Sequence, residues 1–211
     1  WTTTNFDVSL GATAVFNVGG AGEFTTGNID TIKALGSATG GFRSGSFLGF
    51  DTTNAAGGVF TYTTAIAGGG TNTRGLVKVG TGTLEFQGAN TYTLGTIITD
   101  GAVTYSGSGG RAVTATTNTL ALGVTSGSRA EFNMNSSGTV NYYGTVNIGG
   151  TGASSNGAGV FRQSSGIVNL MNNTGYTQLG NGGYGAMVIS GGTLNASSTS
   201  GIRVSDNTGG L

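Results

Sequence analysis

An all-β chain wound into a parallel β-helix (a β-solenoid) of roughly eight coils is the fold this sequence predicts. Three observations carry the prediction. Ser137-Gly138-Thr139-Val140-Asn141 returns as Ser165-Gly166-Ile167-Val168-Asn169 and again as Gly191-Gly192-Thr193-Leu194-Asn195. From Asn141 to Asn169 is 28 residues and from Asn169 to Asn195 is 26, a period that marks stacked units rather than one globular core. Apolar residues alternate with polar ones in short runs bounded by Gly, Asn and Ser, the period of a half-buried strand. Third, 44 glycines accompany no proline, and Gly and Asn accept the backbone conformations that repeated tight corners demand.

Taken in order, Val8 to Val18 reads as two strands broken near Gly11. Asn28 to Leu35 places Ile29, Ile32 and Leu35 at helical spacing between Gly27 and Gly36, and the same residues also suit a short strand. Gly58 to Ile66 holds a strand at Val59-Phe60-Thr61-Tyr62-Thr63. Leu76 to Val79 and Thr83 to Phe86 are strands around a Gly80-Thr81-Gly82 turn, with Leu84 and Phe86 inward and Glu85 outward. Thr91 to Thr93 and Thr96 to Thr99 follow, before a turn at Asp100-Gly101. Beyond Leu120 the units align. Each opens on an apolar residue plus Gly (Leu122-Gly123, Ile148-Gly149, Leu179-Gly180) and crosses a variable Gly/Ser-rich loop. A second strand follows near Phe132–Met134, Val160-Phe161 or Met187–Ile189, and a third carries Val140, Val168 or Leu194.

This pattern predicts one solenoid domain over residues 1–211, with residues 1–75 least regular and suited to a cap or transitional region. The chain opens at Trp1 without an initiator Met and stops at Leu211 shortly after Gly201-Ile202-Arg203-Val204 starts a coil. The expectation is a part of a longer chain or assembly. Asn141, Asn169 and Asn195 should stack at one corner as a turn ladder of side-chain amides, a structural role rather than a binding one.

Composition narrows the chemistry. The chain lacks His and Cys, so Ser-His-Asp and Cys-His nucleophile sites and His/Cys zinc sites are excluded. Its 8 Lys+Arg residues are scattered and balance 8 Asp+Glu. No basic patch marks a nucleic-acid partner, and no apolar run reaches the roughly 20 residues of a membrane-spanning helix. The carboxylates Asp7, Glu23, Asp30, Asp51, Glu85, Asp100, Glu131 and Asp206 are dispersed. Gly182-Gly183-Tyr184-Gly185-Ala186-Met187 opens like a calcium-binding coil, but Met187 stands at the Asp position. Neither a catalytic residue nor a cofactor is expected. Arg129-Ala130-Glu131 reads as a solvated strand with an ion pair, and Tyr92, Tyr105, Tyr142, Tyr143 and Tyr184 as core or scattered surface rings rather than a sugar-binding stripe.

Gly80-Thr81-Gly82-Thr83-Leu84-Glu85-Phe86-Gln87-Gly88-Ala89-Asn90-Thr91-Tyr92-Thr93 resembles the autotransporter-associated β-strand repeat, a passenger-domain motif of secreted bacterial proteins. The match covers about 28 residues, Leu76 to Val103. Leu94 departs from it where the family has a second Gly, and no translocator barrel accompanies it. The resemblance implies a right-handed parallel β-helix, secreted or at the bacterial cell surface, and supplies no catalytic residue. The leading expectation is a non-enzymatic extracellular structural protein whose solenoid stacks head to tail into a filament. A glycan-binding adhesin passenger is the alternative, with surface glycans as partners. A polysaccharide lyase or hydrolase stands third.

Overall fold

A computed structural model of the chain describes residues 1–36, 40–68, 73–114, 118–152, 155–171, 176–196 and 201–204. Asp206, one of the eight dispersed carboxylates, lies outside them. The first coil contains β1 (Asp7–Val8), β2 (Thr13–Asn17) and α1 (Thr26–Lys33), and β3 (Gly41–Phe42) leads to β4 (Ser46–Asp51) and β5 (Val59–Tyr62) of the second. The next coils hold β6 (Arg74–Val79) and β7 (Thr83–Phe86), then β8 (Thr96–Ile98) and β9 (Gly101–Gly107). Three-strand coils follow: β10 (Leu120–Leu122), β11 (Arg129–Ser136) and β12 (Thr139–Tyr142); then β13 (Val146–Ile148), β14 (Ala158–Gln163) and β15 (Ile167–Leu170); then β16 (Thr177–Leu179), β17 (Tyr184–Ile189) and β18 (Thr193–Ala196). β19 (Ile202–Val204) starts one more.

Strands of successive coils pair in parallel and in register, so the chain is a β-solenoid. The first sheet stacks β2, β4, β6, β8, β10, β13, β16 and β19; the second stacks β5, β7, β9, β11, β14 and β17; the third stacks β12, β15 and β18. From β5 to β17, where both long sheets are present, the solenoid makes about 5 turns, slightly short of the roughly eight coils that mean coil length suggests. The first sheet runs one strand further at each end, β2 and β19, and in the first coil α1 and connecting loops take the place of a strand of the second sheet.

Period-two patterning sorts the side chains. Inward positions of the second sheet form a column of Phe60, Leu84, Val103, Phe132, Phe161 and Met187. Aromatic rings continue from coil to coil, and Phe132 stacks on Phe161 at 5.1 Å with 12° between planes. In the first sheet Leu122, Ile148 and Leu179 share one inward column. The glycine after each has φ of 65°, 84° and 79° respectively, which favours glycine. At Gly149 a Cβ would also come within 2.1 Å of the Tyr184 carbonyl oxygen. This explains why the apolar-Gly pair repeats while the loop after it varies.

The Asn28–Leu35 segment takes the helical alternative as far as Lys33, with Leu35 in the turn beyond α1. Thr25 caps α1: its Oγ1 accepts from the Asn28 N–H at 3.3 Å, and Asn28 Oδ1 accepts from the Thr25 N–H at 2.9 Å. Ile29 and Ile32 are buried. Lys33 Nζ donates to Tyr62 Oη and to the Ala65 carbonyl, both at 2.8 Å, and pairs with Asp30 at 2.7 Å. The helix therefore lies against the end of β5, the edge strand of the second sheet. Among the described residues no helix is long and apolar enough to cross a membrane.

Candidate functional site

The register sets outward side chains in straight rows. Across the second sheet one row reads Thr61, Glu85, Thr104, Asn133, Arg162 and Val188, one residue per strand from β5 to β17. Two positions further along the strands stand Ser106, Asn135, Ser164 and Ser190. Between these rows the outer face of β9, β11, β14 and β17 is indented into a cleft of about 380 Å³. Thr104, Asn133, Asn135, Arg162, Ser164 and Val188 line it, over a floor that includes Met134 and Gln163.

Neighbouring groups in the rows bond to one another. Asn133 Nδ2 donates to Thr104 Oγ1 at 3.3 Å, and Ser164 Oγ donates to Asn135 Oδ1 at 3.1 Å. At the β7 end Glu85 accepts from Thr61 Oγ1 at 2.7 Å and from Ser106 Oγ at 2.6 Å. The bonds from Ser106 and Thr61 hold the Glu85 carboxyl below its ordinary pKa, against a small opposing effect of burial. Arg162 Nε lies 3.8 Å from Glu131 Oε2, a loose pair with both side chains about half exposed. Glu131 was expected to pair within Arg129-Ala130-Glu131. The cation comes instead from β14, because Arg162 lies diagonally across the strand pair from Glu131, within reach of a long side chain. The Arg129 backbone N–H donates to Asp100 Oδ1 at 3.0 Å.

Glu85 and Glu131 do not converge. They lie in different outward rows with β9 between their strands, and each has its own partners. Among the described residues no three His, Cys, Asp or Glu side chains gather as a metal site would require. Tyr92, Tyr105 and Tyr142 are buried, whereas Tyr184 is 81% exposed, so these rings make no stripe.

Asn141, Asn169 and Asn195 are direct register partners in the third sheet. Asn169 Nδ2 donates to Asn141 Oδ1 at 2.7 Å, and Asn195 Nδ2 donates to Asn169 Oδ1 at 2.7 Å. Each is the third residue of a four-residue strand, so the column runs within the sheet and not through a turn. The reason is local. Val140 and Tyr142 are both drawn into the core, which leaves the residue between them on the opposite face of the same strand.

Several buried polar residues escaped sequence reasoning. Arg111 is fully buried between the rings of Tyr92 and Tyr142, at 4.7 and 4.8 Å from their centroids. Its Nη1 donates to the Tyr92 carbonyl at 3.3 Å and its Nη2 to the Asn141 carbonyl at 3.1 Å. Lys78 stands in the inward column between Phe50 and Ile98. Its ammonium donates to the carbonyls of Val79, Gly80 and Asp100 at 2.7, 2.7 and 3.2 Å. Burial pushes the Lys78 amine down to about 8, against the attraction of Asp51 and Asp100. The only available signal for Lys78 was its even spacing with inward Leu76 in a strand, which placed a charge where an apolar residue belongs. The cleft residues were readable in principle as Asn, Ser and Arg recurring at outward positions of the second strand in successive coils.

Comparison with known proteins gives one informative similarity. Over 197 residues, 87% of this chain, the sequence is 33% identical to part of the adhesin BmaC autotransporter of Brucella suis biovar 1 (strain 1330). The chain spans about 5% of the length of that curated relative. No family model matches the chain, and no solved structure matches it. In sequence and in its solenoid fold the chain is autotransporter-passenger-like.

Proposed function

We propose that this chain is a non-enzymatic β-solenoid segment of an extracellular adhesin, secreted or held at a bacterial cell surface, which presents its outer rows to other surfaces. The observation that carries the reading is the 33% identity to an adhesin over 87% of the chain. That similarity extends along a continuous stack of parallel strands. A parallel solenoid of this kind is rigid along its axis, because every coil is bonded to its neighbours. Its side-chain rows are fixed without further ordering, which suits repeated weak contacts. Among the described residues the dispersed and individually partnered carboxylates supply no acid–base pair for glycoside cleavage, which favours adhesion over the lyase or hydrolase reading.

Head-to-tail stacking into a filament is the alternative. It is opposed by α1, which lies where a stacked copy would need a free strand against β5. In this reading α1 closes the N-terminal end of the second sheet and is the cap within residues 1–75, whose β4 and β5 already stack as regular coil strands. Adhesion is tested by coupling the 211-residue chain to beads and measuring their retention on cell-coated and glycan-coated surfaces under flow. Retention above that of beads carrying an unrelated protein is expected; equal retention on every surface refutes the adhesin reading.

A further inference from the structure

We infer that the cleft across β9, β11, β14 and β17 binds a neutral oligosaccharide laid along the solenoid axis. The inference rests on the adhesin reading and names the chemistry of one contact. Four features of the cleft lead to it.

The first is spacing. Parallel strands repeat at about 4.8 Å, so the four strands set equivalent polar groups across roughly 14 Å. A linear saccharide also repeats its hydroxyl groups once per sugar, at a step close to one strand spacing. Thr104, Asn133 and Arg162 in one row, with Asn135 and Ser164 in the next, can therefore meet successive units with the same kind of contact.

The second is hydrogen-bond character. Side-chain amides and hydroxyls each donate and accept, as sugar hydroxyls do. Asn133, Asn135, Thr104 and Ser164 already form pairs across strands, so their remaining donors and acceptors are held in fixed directions.

The third is charge. Arg162 is the one cation lining the cleft among the described residues, and Glu131 lies 3.8 Å from it. The next carboxylate along its row is Glu85, held by Thr61 and Ser106. Arg162 and Glu131 offset each other, and Glu85 adds one negative charge beyond the cleft, so no positive field is left to draw in an acidic polymer.

The fourth is the apolar component. Val188 is 43% exposed at one end of the row. It supplies contact for the C–H face of a pyranose ring. Among the described residues no aromatic ring lines the cleft to stack on a sugar. Affinity must then accumulate over several units, so one sugar alone is held poorly.

The test is titration calorimetry of the full chain with gluco-, galacto- and manno-oligosaccharides of one to six units. For at least one series, binding should strengthen tenfold or more from one to three units and then level off. It should change less than twofold between 50 and 300 mM salt. Asn133→Ala and Ser164→Ala should each weaken binding fivefold or more. Asn147→Ala, on the outer face of the first sheet, should leave it unchanged, with all three variants melting like the parent. Absence of binding to all three series, equal binding by Asn133→Ala, or binding confined to uronic-acid polymers and lost in salt would each overturn the inference. Beads that adhere equally well with and without Asn133→Ala would also overturn it while leaving the adhesin reading in place. Oligosaccharide binding by a chain whose beads do not adhere would support the cleft and refute the adhesin reading.

Discussion

Asn169 gives one hydrogen bond and takes another along a single column, and this double role makes it the member whose loss is felt most. In Asn169→Leu the Asn141 oxygen loses its donor and the Asn195 amide loses its acceptor. Asn141 is largely buried, so it has little water to turn to. Its backbone is also committed: Arg111 Nη2 and Asn118 Nδ2 both donate to its carbonyl, at 3.1 and 2.5 Å. The expected cost is about 1–2 kcal/mol. For a chain of this size that corresponds to a fall in melting temperature of roughly 2–8 °C. Thermal unfolding followed by circular dichroism checks it, and a melt no lower than the parent would mean that the amide column does not stabilise the stack. The column was legible in the sequence because the same five-residue phrase carries Asn at the same place three times. Its position inside a strand was not, since that depends on both Val140 and Tyr142 entering the core.

At the scale of elements, α1 is the piece that a repeat pattern could not supply. Ile29, Ile32 and Leu35 suited a helix or a strand equally. The choice is settled by the Thr25/Asn28 capping box and by the Lys33 and Asp30 contacts to Tyr62, none of which has a counterpart in later coils. Tyr62 Oη donates to Asp30 Oδ1 at 2.6 Å while it accepts from Lys33, so helix and edge strand are joined by a continuous chain of polar bonds. If α1 is the proposed cap, its two buried isoleucines shield the end of the core. Ile29→Ala should then destabilise the fold by about 2–4 kcal/mol. Its more specific signature is spatial. Amide hydrogen exchange should accelerate first in β2, β4 and β5, while β13, β14 and β15 keep their protection, because coils in a solenoid lean mainly on their neighbours. Uniform acceleration along all three sheets would show that α1 is one more part of a single cooperative core and not a local cap.

The whole molecule was the most legible level, because a solenoid writes its period directly into the chain. Leu122, Ile148 and Leu179 recur before glycine since each coil makes the same corner. The cleft was hidden because it depends on which outward residues of separate coils fall in one row, and loops of unequal length separate those residues. The buried cations were hidden for a related reason: Lys78 is tolerated only because three carbonyls from two turns converge on its amine. Those inward polar groups give the stack a distinctive response to pH. The Lys78 amine titrates at about 8 in the fold against an ordinary 10.5. Between those values the unfolded chain binds more protons, so stability rises as pH increases through that range. The gain is at most roughly 3 kcal/mol. Tyr62, Tyr105 and Tyr142 act in the opposite sense. Burial raises all three above the ordinary 10.0; the bond to Asp30 adds to the effect at Tyr62, and Arg111 opposes it at Tyr142. Their contribution is complete below pH 10 and is lost as the solution becomes more alkaline, when the unfolded tyrosines ionise first. Urea unfolding measured from pH 7.5 to 11 should therefore show stability climbing from pH 8, reaching a maximum near pH 10 and then falling. Lys78→Met should flatten the rising limb and leave the falling limb in place. A parent whose stability declines steadily from pH 8, or a variant that keeps the rise, would show that the three carbonyls hold the ammonium as firmly as water does.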